Sequence, residues 1–577
     1  MASCSSYHKC RKANGVLPSR VLSIGSPVIQ LRDTSGEPGS YAALSHCWGN
    51  HPSLTTTIAT LDLHKHEIKW ELLGRTYQDA VVLTRSLGLD FLWVDSLCII
   101  QDSVADWEVQ SAHMADIYLN ATITIAASKA ADGSVGFFTD HSKTPYIWRR
   151  GGYNIDVSAN YRRSDSDLYQ CPYVTVEHHD QWKPLPIHVS PQKTFWMGLE
   201  PTHEVLEHRR RRPPADIVGL GMPLFTRAWF LQERLMSPRI IHLGAMELYW
   251  ECDHGMVCEC LEDDINRHYS EATARRLYSS LIRHSTTQNQ TTTRLFSSET
   301  QQSVLITASE LDAWHKMVEE YSRLLLTREM DRLPALSGIA NMLGNSYLAG
   351  IWTDYLPRCL YWTPDTTCNA SIRRPFDYRA PSFSWASIEG PVNYHNWFSK
   401  LILPSTQIGH VVAAVVDKSS TVEGLDPSGR VKNGYIALLG YSGLATVITV
   451  YIDGTTTICD ICRGKMVQSF QLDIPICLGR TEPTEVQQGD RVMVLLLECV
   501  KREGSYYVNE HGAYQLSALV LKPESPDSSS YRRVGLIGPV SETKLESGVD
   551  GTVPRRLDSL YTNAPDWFDK KREIRLV

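Results

Sequence analysis

The run Asp90-Phe91-Leu92-Trp93-Val94-Asp95-Ser96-Leu97-Cys98-Ile99-Ile100-Gln101-Asp102 changes character halfway along, and no other stretch constrains the fold as much. Phe91 to Val94 is a short apolar run of aromatic and β-branched residues, the signature of a buried strand in a parallel sheet. Asp95 and Ser96 stand where that strand ends. Open α/β sheets bind ligands beyond the carboxyl ends of their strands. Gln101 and Asp102 add two more polar side chains within a few residues, more than a purely structural strand usually carries.

The neighbouring segments repeat the theme. Tyr41-Ala42-Ala43-Leu44-Ser45 is a compact strand that breaks into His46-Cys47-Trp48-Gly49. After Thr76 as an N-cap, Ala80, Val81, Leu83, Thr84 and Leu87 recur at helical spacing and stop at Gly88, a C-cap signal. Asp106 is the expected cap of a further helix with a face of Trp107, Ser111, Met114, Ile117 or Tyr118, and Ala121. Thr122 to Ala127 is strand-like by its β-branched content. Strand, helix, strand, helix, strand predicts an α/β fold with a parallel sheet and right-handed crossovers. His46 and Cys47 would then meet Asp95, Ser96 and Cys98 on one edge of that sheet.

At 577 residues the chain should form two or three domains. Residues 1–20 read as a loose leader, 21–260 as the α/β domain with an insertion at about 140–222, and 261–305 as a Ser/Thr/Gln-rich linker. Residues 306–400 read as a helical extension, with helices over Leu311 to Leu326 and Pro334 to Leu343, and 401–577 as a β-rich region. The insertion carries Arg209-Arg210-Arg211-Arg212, taken as a solvated loop. A net charge of −7 gives no electrostatic footprint for nucleic acid. No apolar run reaches the ~18–20 residues that span a bilayer, and the 14 cysteines are scattered through a long chain, so a reduced, cytoplasmic protein is expected. Cys252, His254, Cys258 and Cys260, and the isolated pair Cys459 and Cys462, lack the paired spacing of a zinc site, and no metal is expected.

Several separated motifs, in order, resemble the fungal heterokaryon incompatibility (HET) domain family. They are Tyr41 to Gly49, Thr76-Tyr77-Gln78-Asp79-Ala80, Leu92 to Asp102, Asp106-Trp107 with Met114, Ile117-Tyr118 and Asn120-Ala121, and Arg227-Ala228-Trp229 with Leu231-Gln232-Glu233-Arg234. The resemblance covers roughly residues 20–255, and later segments such as Tyr378 to Ser387 look like an extension common in long members. It implies a role in allorecognition, in which fusion of incompatible fungal cells triggers programmed cell death. Partners would be other incompatibility proteins, or a second copy through the HET domain. The family is held to be distantly similar to TIR domains, with a flavodoxin-like sheet, some of which cleave NAD. NAD is therefore the one cofactor-like molecule implied, as a substrate. In TIR enzymes a catalytic Glu follows a Trp by three residues on a helix, and counting from Trp107 reaches Gln110, an amide that cannot supply the carboxylate.

On the residues themselves, the candidate catalytic groups are Asp95, Ser96, Cys98, His46, Cys47 and Glu233. Ser45, Trp48, Gly49, Gln101, Asp102, Arg227, Trp229 and Gln232 are the candidate binding groups. A cysteine with His46 and Asp95 makes a thiol nucleophile, base and orienter. Because adjacent strand residues face opposite ways, the expected pairings are His46 with Cys98, or Cys47 with Asp95. The same cysteines also suit small buried hydrophobes, and Arg227 and Glu233 reaching toward Asp95 or Asp102 also suit a structural ion-pair network. Three readings follow: a death-signalling component, an enzyme acting on a nucleotide or recruited to secondary metabolism, and a purely structural network.

Overall fold

In a computed structural model, the described residues are 10–34, 36–49, 54–138, 221–244, 248–253, 255–258, 308–344, 346–366, 372–394, 413–453, 456–463, 466–474, 485–502, 513–525, 528–537 and 570–577, with short strands at 147–150, 153–156, 174–176, 187–189 and 410–411. The linker at 261–305, the Arg209–Arg212 run, His254 and Cys260 lie outside them. The chain divides into two compact units, Met1–Gln110 with Met114–Ser279, and Ser111–His113 with Ser280–Val577. Among the described residues, no helix is long and apolar enough to cross a membrane.

The first unit is mixed α/β. Its sheet has eight strands: β1 (Arg20–Ser23), β2 (Gln30–Asp33), β3 (Tyr41–Ser45), β4 (Phe91–Val94), β5 (Ile123–Ala126), β6 (Arg239–Leu243), β7 (Leu248–Cys252) and β8 (Gly255–Cys258). They lie in the order β8-β7-β6-β5-β3-β4-β1-β2. The middle four pair in parallel, as the strand–helix alternation predicts, and an antiparallel pair extends the sheet on each side. β3 and β5 have every residue buried, which is why both read as unbroken apolar runs. The chain goes from β3 outward to β4 and then returns past β3 to β5. This reversal makes the β3/β5 gap a topological switch point, the place where such sheets bind ligands.

The helices are α1 (Leu61–His66), α2 (Arg75–Ser86), α3 (Asp95–Cys98), α4 (Val104–Asn120) and α5 (Ala228–Met236). Two caps differ from expectation. Gly74 precedes α2, so Thr76 lies inside the helix; its hydroxyl donates to the Asp132 carbonyl at 3.0 Å and accepts from Gly136 N. Ser103 caps α4 by accepting from Asp106 N, while the Asp106 carboxylate accepts from Ile100 N and pairs with Arg20. The buried face of α4 is Gln110, Met114, Ala115, Ile117 and Tyr118, and Trp107 is only half-buried. The segment expected to be a loose leader is anchored from Cys10 onward. Cys10 packs on Cys252 and Trp250, and the Arg11 guanidinium grips Asp253 through two nitrogens.

In the second unit, α6 (Ala308–Tyr321) ends five residues before the expected Leu326, where Tyr321 Oη donates to the Arg332 carbonyl; α7 (Pro334–Leu343) follows. Its large sheet contains β9 (Val431–Asp453), β10 (Thr456–Arg463), β11 (Met466–Leu472), β12 (Arg491–Arg502), β13 (Ala513–Pro523) and β14 (Ser530–Ile537). These six close into an antiparallel ring, β9-β10-β11-β14-β13-β12 and back to β9. Each of the six thus has a hydrogen-bonded neighbour on both sides, the β11–β14 seam being the shortest, at Gln471–Leu536 and Leu472–Gly535. Val447, Cys459, Phe470, Val494 and Val520 belong to the apolar cluster at its core, so Cys459 is a core side chain.

Candidate functional site

Beyond the carboxyl ends of β3 and β4, the chain gathers a histidine and two carboxylates. His46 follows β3 and Asp95 follows β4. His46 Nδ1 lies 3.6 Å from Asp95 Oδ1, and Nε2 lies 3.1 Å from Tyr77 Oη. Tyr77, on α2, continues to Ser96 Oγ at 2.9 Å. Asp95 is itself held by Trp48 Nε1 at 2.8 Å and by Ser96 N at 2.7 Å. Burial pushes the His46 pKa down to about 4, although the Asp95 charge opposes it. The imidazole is therefore neutral near pH 7, and its buried Nδ1 has no hydrogen-bond partner among the described residues. Asp95 keeps 19% of its side chain exposed and so meets solvent at this cluster.

Glu233 is the second carboxylate. It comes from α5, 188 residues after Ser45, whose hydroxyl donates to Glu233 Oε2. Burial pushes its pKa up to about 7; the Ser45 hydrogen bond opposes that and the Asp95 charge adds to it. A buried carboxyl that titrates near neutrality, beside a second carboxylate open to solvent, is equipped for general acid–base work. Arg227 connects the strands to α5. Sequence spacing places it within a helix, whereas it is extended, with φ −85° and ψ 134°, just before α5. Its Nη1 donates to the His46 carbonyl at 2.6 Å, and its side chain also reaches Cys47. Trp229 is half-buried and Gln232 buried on the same helix.

Other predicted residues lie elsewhere or act differently. Cys47 packs with Met222, Phe225, Phe230 and Ile240, and burial pushes its thiol up to about 11 against the opposing Arg227 charge. The Cys98 thiol is fully buried against the backbone of Val94 and Leu22, and its pKa is pushed up to about 12. Neither expected thiol pairing forms: Cys47 faces Arg227 instead of Asp95, and His46 turns to Tyr77 and Asp95 instead of Cys98. Asp102 accepts from Ile58 N at 2.8 Å, and Gln101 donates to the carbonyls of Asp95 and Ile99, so both brace backbone. Ser96 is fully buried and serves the Tyr77 chain.

Sequence reasoning passed over Tyr77 and Tyr118. Tyr118 hydrogen-bonds Glu233 and donates to the Leu44 carbonyl at 3.2 Å. Both tyrosines sit on apolar helix faces, where the ring explains the position and conceals the hydroxyl's role. Gly49, just after Trp48, has φ +66°, and a Cβ there would stand 2.2 Å from Asp132 Cβ. Gly49→Ala is expected to destabilise the unit by about 2 kcal/mol or more, adding a steric clash to the left-handed penalty. Urea unfolding checks this; a loss below about 0.5 kcal/mol would contradict the close approach.

Compared with known proteins, residues 41–233 match the family described as Heterokaryon incompatibility protein (HET). No curated protein and no solved structure matches the chain. The matched span runs from the first residue of β3 to Glu233 and includes every member of the His46–Asp95–Glu233 cluster. Residues 41–233 are a heterokaryon incompatibility (HET) domain.

Proposed function

We propose that this HET domain is the effector of a fungal incompatibility response, arresting growth or killing the cell, and that it acts through the His46–Asp95–Glu233 cluster. The observation that supports this most is Glu233, a buried carboxyl with its pKa raised to about 7, set beside Asp95 and a neutral His46 at the strand ends. A carboxyl held near its titration point beside a second carboxylate that meets solvent suits proton transfer at the strand ends. In this reading the protein works in the cytoplasm, with other incompatibility proteins or a second copy of itself as partner.

The strand order β4-β3-β5-β6 supports a flavodoxin-like, and hence TIR-like, reading of the domain. On that reading NAD is the substrate, and Asp95 or Glu233 replaces the carboxylate that Gln110 cannot provide. Gln110 itself is buried and accepts from Ser19 Oγ at 3.0 Å, so it has a structural partner.

Inducible expression in a filamentous fungus tests the effector role. The wild-type chain is expected to arrest growth and Asp95→Ala to abolish the arrest while keeping its circular dichroism. In parallel, the purified protein is incubated with NAD and nicotinamide release is followed, with Asp95→Ala expected to lower any release by about 100-fold or more. Equal arrest by Asp95→Ala, or harmless wild-type expression, would sink the effector reading; absent nicotinamide release would remove only the NAD substrate.

A further inference from the structure

Two hydroxyls behind His46 bear on which of its ring nitrogens carries the proton. A neutral imidazole donates from one nitrogen and accepts at the other. His46 Nε2 lies 3.1 Å from Tyr77 Oη, which lies 2.9 Å from Ser96 Oγ. The Tyr77 ring also meets the imidazole edge-on, with centroids 5.1 Å apart. On the other side, Nδ1 faces Asp95 Oδ1 at 3.6 Å. His46, Tyr77 and Ser96 are all buried, so bulk water does not decide where the protons in this row lie.

The Asp95 charge favours one arrangement. With the proton on Nε2, the Nδ1 lone pair would point at a carboxylate oxygen, a repulsion between two acceptors in a poorly screened setting. With the proton on Nδ1, the same contact becomes an N–H dipole aimed at the negative charge. The hydroxyls agree with that choice. A bare Nε2 needs a donor, and the Tyr77 hydroxyl is in place to supply it. Tyr77 Oη then accepts from Ser96 Oγ, whose one hydrogen-bond partner among the described residues is Tyr77 Oη. The reverse order, Nε2–H to Tyr77 to Ser96, would leave the Ser96 proton buried and without an acceptor among those residues.

We propose that Ser96 and Tyr77 are positioning residues that lock His46 in its Nδ1–H form, and that His46 serves the site as a fixed donor toward Asp95 instead of as a base. The proposal rests on the reading of this cluster as the effector site. The row begins and ends on adjacent residues of α3: Ser96 Oγ starts it, and Asp95 Oδ1, which also accepts from Ser96 N at 2.7 Å, receives it. Trp48 Nε1 donates to the other oxygen at 2.8 Å, so donors face both oxygens and fix the plane of the carboxylate. Proton transfer is then left to Glu233.

Long-range proton–nitrogen NMR of the full chain with isotope-labelled histidine at pH 7 tests the lock without any activity, His46 being assigned by the signals lost in His46→Asn. A protonated Nδ1 and a bare Nε2 are expected. The Nε2 resonance should move in Tyr77→Phe, which removes one hydroxyl and no ring volume, and the Nδ1 resonance in Asp95→Asn. A protonated Nε2 in the wild-type chain, or resonances indifferent to both substitutions, would overturn the proposal. Growth arrest tests the role. An Asn amide offers an N–H near the place of Nδ1 and cannot act as a base. His46→Asn is therefore expected to arrest growth at no more than about tenfold the wild-type expression level, and His46→Ala to lose the arrest. Loss in both, with circular dichroism retained, would overturn the donor role. A wild-type chain that shows the Nδ1–H form and arrests nothing would support the lock and sink the effector reading alone.

Discussion

Glu233→Gln is expected to stabilise the HET domain by up to about 3 kcal/mol at pH 8 and to change little at pH 4. Burial raises the Glu233 pKa from an ordinary 4.5 to about 7, so the folded state holds a proton that the unfolded chain has already lost between those values. Stability from this group therefore falls as pH rises from 4.5 to 7 and stays low above it. A pKa that differs by one between the folded and unfolded chain is worth about 1.4 kcal/mol. Glutamine keeps the shape and removes the titration. His46 acts with the opposite sign. Its pKa falls from 6.5 to about 4, so stability rises with pH across that interval. The two slopes oppose each other between 4.5 and 6.5, and the variant should expose the His46 slope. Urea unfolding at closely spaced pH values measures both curves, and parallel curves for variant and wild type would refute the buried, titrating carboxyl.

The second large effect lies in the other unit. Arg533, on β14, is fully buried and forms a two-nitrogen ion pair with Asp473 at 3.0 and 3.1 Å. Its guanidinium also donates to the carbonyls of Leu360 and Trp362 and lies 3.7 Å from the Trp362 ring centroid. Arg533→Met leaves Asp473 buried without a partner and strands both carbonyls, and should cost about 3–5 kcal/mol. Replacing both partners, as Arg533→Met with Asp473→Leu, removes the uncompensated charge and should recover a substantial part of that loss. Thermal unfolding of the full chain distinguishes the two. A double variant as unstable as the single one would show that the carbonyl bonds, rather than the charge, dominate.

These two sites differ in how they relate to chemistry. The Arg533 guanidinium spends its donors on Asp473 and two carbonyls, as expected of a structural device. The HET cluster leaves Asp95 partly open and His46 Nδ1 unmatched among the described residues. Residual hydrogen-bonding capacity next to a titrating carboxyl is what a site needs in order to act on something else.

Much of this was legible along the chain because it depends on local physics. The unbroken apolar runs at β3, β4 and β5 marked buried parallel strands, the helical spacing after Thr76 marked α2, and the polar residues at the ends of β3 and β4 marked the edge where the candidate site lies. The His46 and Asp95 positions follow from strand ends alone. Tertiary structure decided what distance in sequence concealed. Glu233 reaches Ser45 across 188 residues, and no periodicity encodes that approach. Cys98 sits on a four-residue helix, Asp95–Cys98, directly after β4, and its thiol meets the backbone of Leu22 on β1. Arg227 reads as helical by composition, yet it is extended, and its guanidinium reaches the His46 carbonyl. Periodicity and caps act over a few residues, so the sequence alone determined the elements and the edge of the sheet. Burial and charge act between whichever residues folding brings together, so only the tertiary structure decided which side chains meet there and which of them titrate.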